Sequence, residues 1–328
     1  MEYSKISSSE VSIAKMQREA YAELRKVARE QGEKFESSLY WTSQNGKEYL
    51  VRKKGHERKV LGTRVPLMED FYKKYNDEKT EVLQKIAALK EKISLGRDQI
   101  NRSTMNLVPL DSARVLRKLE GDGTLGSVFI VSGLQCIYAY ESQANVRFKQ
   151  NLKDKDVYNI TKATEKNLVL LGSAGDEDKL FDAIKQIDPS YKIMGGKGRY
   201  RATNSNGFSV DLVCSASDCK QNWMMSVPRV ESVAFCESGL PVPFVSLAPH
   251  VYALYKFWQS KNHKDKQQDI KAEIDSKQAY AITDMVKHEL GRCITQEDFS
   301  AMPECVSAYK DQLAEETEKA YSLETFDL

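Results

Sequence analysis

The sequence has no long apolar run and no N-terminal segment in which basic residues precede an apolar stretch. A membrane-spanning helix needs about 18 or more consecutive apolar residues, and a secretory signal needs an apolar stretch behind positive charges. Both features are missing. We therefore predict a cytoplasmic protein that has no membrane partner.

Cysteine is scarce, and its six copies stand far apart, at positions 136, 214, 219, 236, 293 and 305. None of them shows the paired CxxC spacing of zinc sites. In the cytoplasm, thiols stay reduced. We expect free, partly buried cysteines.

The chain also lacks the composition of a disordered segment, since 41% of its 328 residues are hydrophobic and its formal net charge is only +2. A chain of this length fills two or three domains. This size favours a multidomain enzyme over a small binding module.

The first third of the chain predicts a helix, a small sheet and a second, longer helix. Apolar residues recur at helical spacing over about 11–31. Asn45-Gly46 is a strong hairpin signal between strands at 40–42 and 48–51, and a third strand is predicted at 58–61. A charge-rich amphipathic pattern predicts a helix over about 67–95.

The rest of the chain predicts a mixed sheet followed by helices. Strands at 127–131, 167–171, near 200 and at 208–214 alternate with helices at 111–119, 134–142 and 178–187, and this alternation indicates an α/β arrangement. From Pro249 onward the pattern is helical, and His250 is expected at a helix start. We predict an α+β or mixed α/β fold with domains at 1–108, 109–245 and 246–328.

Three aspartates are the candidate metal ligands. Asp154 and Asp156 are two residues apart in a loop, so in an extended chain both side chains point to one side. Asp211 stands in the apolar strand pattern of 208–213, where a carboxylate needs a metal, a partner or solvent. Magnesium and similar hard cations prefer carboxylate oxygens. The three carboxylates together predict a divalent metal site.

Four places in the sequence carry a resemblance to a known family, in the family's order and over about 40–271. They are Tyr40-Trp41 with 45–50 and 60–62; Val131-Ser132-Gly133 with Tyr140 and 146–148; Phe208 to Val213; and Pro249 to Trp258. In these the chain resembles the bacterial nucleotidyltransferase-fold family, a distant branch of the DNA polymerase beta superfamily.

The resemblance implies a metal-dependent nucleotidyltransferase. Such an enzyme transfers a nucleoside monophosphate from a nucleoside triphosphate to an RNA end, a protein or a small molecule, and relatives include toxins and defence proteins. The candidate residues for these roles are Asp154, Asp156 and Asp211 for catalysis and for Mg²⁺ or Mn²⁺, and Ser132, Gly133, Arg147, Lys256 and Lys266 for the nucleotide.

The chain departs from the family pattern at the aspartate pair. Counted from Arg147, Asp156 falls on the first family aspartate and Tyr158 on the second, while Asp154 comes one step early. A phenol with a pKa of about 10 is a poor magnesium ligand. Two alternatives stay open: a shifted pair of Asp154 with Asp156, or a catalytically inactive relative that binds nucleic acid.

A basic segment at 47–64 is the second candidate site. It holds Lys and Arg residues near the aromatic Tyr40, Trp41 and Tyr49, and such a mixture suits phosphates and stacked bases. The alternative is that the aromatics pack the sheet and the cations lie on its outer face. The candidate ligands of RNA or DNA are Arg52, Lys53, Lys54, Arg58 and Lys59. The long helices also suggest a coiled-coil homodimer.

Overall fold

The computed structural model describes residues 2–149, 166–194, 200–214, 222–262, 269–292, 295 and 297–322, with the backbone alone at 214, 222, 269 and 270. The chain forms two compact units. One is the N-terminal unit, Ser12–Gln99; the other is the sheet unit, Met1–Val11 with Ile100–Leu328. The domain limits predicted at 109–245 and 246–328 both fall inside the sheet unit.

Up to residue 95 the elements follow the predicted order. They are β1 (Tyr3–Lys5), α1 (Ser8–Lys34), β2 (Ser38–Gln44), β3 (Lys47–Lys54), β4 (Glu57–Thr63) and α2 (Pro66–Leu95). Strands β2, β3 and β4 form an antiparallel sheet in that order. The predicted helix, hairpin, third strand and long helix are confirmed.

The two long helices of the N-terminal unit pair in antiparallel fashion. Gln17 near the start of α1 donates to the carbonyl of Lys92 near the end of α2 at 3.3 Å, and Lys34 pairs with Glu78 at 2.9 Å. The face of α1 that is buried carries Ala14, Ala20 and Val27 together with Gln17. The carbonyl of Lys92 accepts from the Gln17 amide nitrogen, while the amide oxygen has no hydrogen-bond partner among the described residues.

The turn between β2 and β3 requires backbone torsion angles that only a few residue types adopt. Asn45 has φ of 53° and Gly46 has φ of 73°. Two successive positive values match the type I′ hairpin turn, whose twist fits that of the flanking strands. Asparagine and glycine tolerate this region because their steric cost there is small.

We expect Gly46→Ala to lower the free energy of unfolding by about 1 kcal/mol or more, because the Cβ atom of alanine is sterically unfavourable at a positive φ. The space around Gly46 is open, so no clash contributes. Gly32→Ala is the matched control, because Gly32 lies inside α1 and is equally unobstructed; there alanine should stabilise. Chemical denaturation measures both, and equal effects at the two glycines would contradict the assignment.

Helix α3 (Arg97–Asn101) spans the boundary between the two units. Besides β1, the sheet unit contains α4 (Leu110–Gly121), β5 (Ile130–Ser132), α5 (Cys136–Ala144), β6 (Val146–Phe148), β7 (Asn167–Gly172), α6 (Glu177–Ile187), β8 (Lys192–Ile193), β9 (Tyr200–Thr203), β10 (Ser209–Cys214), β11 (Arg229–Phe235) and β12 (Pro241–Leu247). Strand β5 is shorter than the predicted 127–131, and a 3₁₀ turn, Gly133–Gln135, precedes α5.

Among the described strands, seven form one mixed sheet in the order β11-β12-β5-β7-β10-β9-β8. Strands β12 and β5 are parallel, and so are β7 and β10, whereas the other neighbours are antiparallel. The separate pair of β1 and β6 is also antiparallel. This arrangement confirms the predicted α+β fold with a mixed sheet.

The C-terminal region is helical, as predicted. It comprises α7 (Pro249–Lys261), α8 (Asp269–His288), α9 (Glu304–Ser307) and α10 (Lys310–Ser322). Residues on strands and helices share one core, among them Ile130, Leu170, Leu212, Tyr140, Tyr252 and Phe257. The Tyr140 hydroxyl donates to the carbonyl of Leu247 at 2.8 Å, so this buried polar group is satisfied.

In the part of the chain that the structure describes, no helix has both the length and the apolar character needed to cross a membrane.

Candidate functional site

Four residues on four adjacent strands form one row across the central sheet. Ser132 on β5 pairs with Val169 on β7, Val169 pairs with Asp211 on β10, and Asp211 pairs with Arg201 on β9. Residues directly opposite each other in a sheet point to the same face. Adjacent strands are about 4.8 Å apart, which puts the backbones of Ser132 and Asp211 roughly 10 Å apart. We call these four residues the site row.

Asp211 is held by two side chains. The Arg201 guanidinium donates from Nε to Oδ1 and from Nη2 to Oδ2, both at 2.6 Å, and Asn167 Nδ2 donates to Oδ2 at 3.2 Å. The Asp211 residue is only 9% exposed. The hydrogen bonds from Arg201 to Asp211 raise the pKa of Arg201. A carboxylate in this apolar strand is therefore compensated by a bidentate arginine.

Sequence reasoning missed both partners of Asp211. The signal that predicts Arg201 is the short connection from Thr203 to Ser209, which pair across an antiparallel hairpin. Counting two residues outward from that pair in each direction reaches Arg201 and Asp211. Asn167 on β7 has no such local signal, because it lies 44 residues before Asp211 in the chain.

A sharp turn follows Ser132. Gly133 has φ of 70°, and a Cβ atom added to it would lie 3.3 Å from the side chain of Val169. Glycine therefore meets both a backbone requirement and a close approach to the neighbouring strand. The turn directs the chain into the 3₁₀ turn and then into α5, so Ser132 lies where the strand ends and the backbone N–H groups of a helical start begin.

A family model described as nucleotidyltransferase matches residues 111–221 and 215–302. The match covers more than half of the chain and includes the whole site row. The chain belongs to this nucleotidyltransferase family. Its general activity is nucleotidyl transfer, as the resemblance implied. No curated protein and no solved structure matches the chain significantly. The matched residues begin at 111, so the N-terminal unit lies outside them.

Within this nucleotidyltransferase region, Lys256 is part of a buried ion pair. Its ammonium lies 2.9 Å from Oδ1 of Asp275, and the side chains are 15% and 3% exposed. The ammonium also lies 5.7 Å from the ring centre of Tyr252. Burial raises the pKa of Cys136, the first residue of α5, to about 12, and the nearby Lys256 charge partly opposes this shift. Lys256 thus lies near the start of α5.

Arg147 lies on a different sheet from the site row. Its strand β6 pairs with β1, and Nη1 donates to the carbonyl of Thr104 at 3.3 Å. The described contacts do not connect it with Asp211. Its assignment to the triphosphate stays a prediction.

The other predicted ligands of the nucleotide and the metal are Asp154, Asp156 and Lys266, which lie outside the described residues. Within the described ranges, no group of three or more His, Cys, Asp or Glu side chains is arranged to hold a metal ion. Asp211 is thus the one predicted carboxylate whose surroundings are known, and Arg201 already occupies both of its oxygens.

The five candidate nucleic-acid ligands lie on β3 and β4 of the N-terminal unit. Arg52, Lys53, Lys54, Arg58 and Lys59 are all exposed. Lys54 pairs with Glu36 at 2.7 Å. The nearby Trp41 packs its ring 5.7 Å from that of Tyr72 on α2, so this aromatic contributes to the packing between sheet and helix.

Proposed function

We propose that the protein transfers a nucleoside monophosphate from a nucleoside triphosphate to an acceptor hydroxyl. The observation that carries this proposal is the site row, which places the hydroxyl of Ser132 and the carboxylate of Asp211 on one face of the sheet of a nucleotidyltransferase family member. In the reaction the acceptor oxygen bonds to the α-phosphorus, the bond from that phosphorus to the bridging oxygen breaks, and pyrophosphate leaves.

Three residues of the site row have separate roles in this reaction. The Ser132 hydroxyl and the N–H groups of the turn at Gly133 bind phosphate oxygens, as the starts of helices do. The Asp211 carboxylate orients the acceptor hydroxyl and receives its proton. Arg201 has a side chain that is 44% exposed, so its charge also reaches phosphate oxygens at this edge. Catalysis rests mainly on positioning and charge compensation.

A divalent cation, Mg²⁺ or Mn²⁺, is part of the proposal, with Asp154, Asp156 and Asp211 as its ligands. Such an ion neutralises triphosphate charge when it is bound. Of these carboxylates Asp211 alone is described, and it is paired with Arg201. The described residues therefore do not by themselves make a metal site, and no step above depends on the ion.

The test is pyrophosphate release and label transfer with each labelled nucleoside triphosphate, Mg²⁺ or Mn²⁺, total RNA and cell extract. Asp211→Asn keeps the shape and removes the proton acceptor, so we expect a rate about 10²–10⁴-fold below that of the parent. Asp182→Asn is the matched control, because Asp182 is an exposed aspartate on α6. It should keep the parent rate.

The outcome that contradicts the proposal is an Asp211→Asn variant that is folded and fully active. Thermal unfolding of each variant shows whether the loss of the Arg201 ion pair has unfolded the protein. The labelled product identifies the acceptor, whether it is an RNA end, a protein or a small molecule, and so tests the toxin or defence role.

A second candidate function is supported by the ion pair itself. The Arg201 guanidinium engages both oxygens of Asp211, which competes with a metal ion for this carboxylate and favours a nucleotidyltransferase fold without catalysis that binds nucleic acid through its basic segment. Parent protein that releases no pyrophosphate with any nucleotide would favour this alternative.

A further inference from the structure

The end of the small sheet in the N-terminal unit carries two pairs of like charges. Arg52 on β3 lies directly opposite Lys59 on β4, and Lys53 lies directly opposite Arg58. Like charges at directly opposed positions repel and destabilise a sheet. We call Arg52, Lys53, Arg58 and Lys59 the cation quartet.

The quartet is not neutralised by acidic side chains. Within the described residues none of its four members has an acidic oxygen within 4.0 Å, whereas the adjacent Lys54 pairs with Glu36 at 2.7 Å. Arg64, at the other end of the same sheet, has two acidic partners, Glu48 and Glu69. Among the described residues, Lys54 and Arg64 of this sheet therefore have acidic partners and the quartet has none.

The two pairs lie on opposite faces of the sheet, because successive residues of a strand alternate. In the middle of the sheet both faces are covered, since Leu50 and Val51 are buried. At the quartet both faces are open to solvent. The register also places Tyr40 and Val60 on the face of Lys53 and Arg58. Tyr40 is partly exposed, and Val60 is 58% exposed.

We propose that the cation quartet binds the phosphodiester backbone of a nucleic acid. Exposed cations on two faces match a flexible or grooved polyanion, which can contact both faces, whereas a flat anionic membrane contacts only one. Tyr40 adds a ring on which a base stacks. The surface lies outside the residues matched by the nucleotidyltransferase model. The inference therefore goes beyond the proposed catalysis and does not depend on it.

The test is binding of the full chain to a labelled single-stranded RNA and to a labelled DNA duplex over a salt series. The quadruple variant Arg52→Gln, Lys53→Gln, Arg58→Gln, Lys59→Gln should bind at least about tenfold more weakly near physiological salt. The slope of log affinity against log salt should fall by about 3 units for the single strand and by about 4 for the duplex. Which probe shows the loss identifies the strandedness of the ligand.

The control removes the same total charge from elsewhere in the unit. Lys26, Arg29, Lys73 and Lys90 lie exposed on α1 and α2, and their replacement with glutamine should change affinity by less than about twofold. Equal losses of affinity in the two quadruple variants would show that binding depends only on net charge, and this would overturn the proposal. Thermal unfolding should show the quartet variant as stable as the parent or more so, since repulsion is relieved.

Two further arms separate this proposal from others. Vesicles rich in phosphatidylserine test the membrane, and quartet-dependent binding to them without binding to either nucleic acid would overturn the proposal. Asp182→Asn should bind both nucleic acids like the parent, because this exposed residue on α6 lies outside the quartet and the site row. A loss of affinity in Asp182→Asn as large as that of the quartet variant would overturn the proposal.

Discussion

Lys256→Met should lower the free energy of unfolding by about 3–5 kcal/mol. The substitution keeps much of the side-chain volume but removes the ammonium that lies 2.9 Å from Asp275. Asp275 is 3% exposed, so its carboxylate loses this cation without gaining full access to water. Removal of one member of a buried ion pair has a cost of this size. Chemical denaturation monitored by circular dichroism measures it.

Two further variants show where this loss arises. Lys277→Met breaks an exposed pair with Glu273 on the same helix as Asp275, and should cost less than about 1 kcal/mol. The double variant Lys256→Met, Asp275→Leu removes both buried charges and should recover most of the stability. A double variant as unstable as Lys256→Met would contradict the buried-pair account.

The same double variant tests the predicted contact between Lys256 and the triphosphate. If that contact exists, transfer activity stays low after stability is recovered, because a leucine and a methionine provide no charge for phosphate. If activity returns with stability, the role of Lys256 is to hold α7 against α8. The structure supports the second outcome, because the ammonium is committed to Asp275 and to the ring of Tyr252.

His250→Phe should make the protein more stable at pH 4 by about 3 kcal/mol relative to the parent. Burial, and secondarily the charge of Arg292, lowers the pKa of His250 to about 4, although Asp298 partly opposes this shift. An unfolded chain takes up this proton near pH 6.5. Between pH 6.5 and 4 the unfolded state therefore binds more protons, and stability is lost as the pH falls through this range.

The surroundings of His250 make phenylalanine a fair replacement. The residue is 1% exposed, and neither ring nitrogen has a hydrogen-bond partner among the described residues. It borders a cavity of about 140 Å³ with Phe299 and Leu313 on its wall, so a larger ring has space. Removal of an unsatisfied buried polar group is neutral or stabilising.

Denaturation at pH 8 and at pH 4 compares the two proteins. At pH 8 His250→Phe should be at least as stable as the parent, and the difference should grow as the pH falls. His288→Phe is the control, because the His288 side chain is 52% exposed at the end of α8. Parallel stability curves for the parent and His250→Phe would show that His250 titrates normally in the folded state.

Local signals in the sequence predict most of the helices and the family, but they give no prediction for the strands β1, β6, β8, β11 and β12. The helices α1 and α2 follow from apolar residues at helical spacing, and the β2–β3 turn follows from Asn45-Gly46, because these properties depend on neighbours in the chain. Three of the four short motifs lie inside the match over 111–302, which confirms the nucleotidyltransferase family. Asp211 lies in an apolar strand, as predicted, while its role as a metal ligand stays a prediction.

The partners of the charged groups were decided by tertiary structure. Arg201 faces Asp211 because β9 and β10 form a hairpin in one particular register, and Asn167 joins them because β7 is the other neighbour of β10. Lys256 meets Asp275 because α7 and α8 pack together. Each contact joins residues on different elements, and a single sequence does not specify strand order or helix packing.

The sequence by itself determined most of the helices, the β2–β3 turn, part of the strands and the family to which the chain belongs. Spacing, turn residues and short motifs are properties of the chain before it folds. Only the tertiary structure decided that Ser132 and Asp211 share one row, that Arg201 neutralises Asp211, and that the cation quartet has no acidic partner among the described residues. Charges interact through space, and the distances that govern them exist only after the strands have paired.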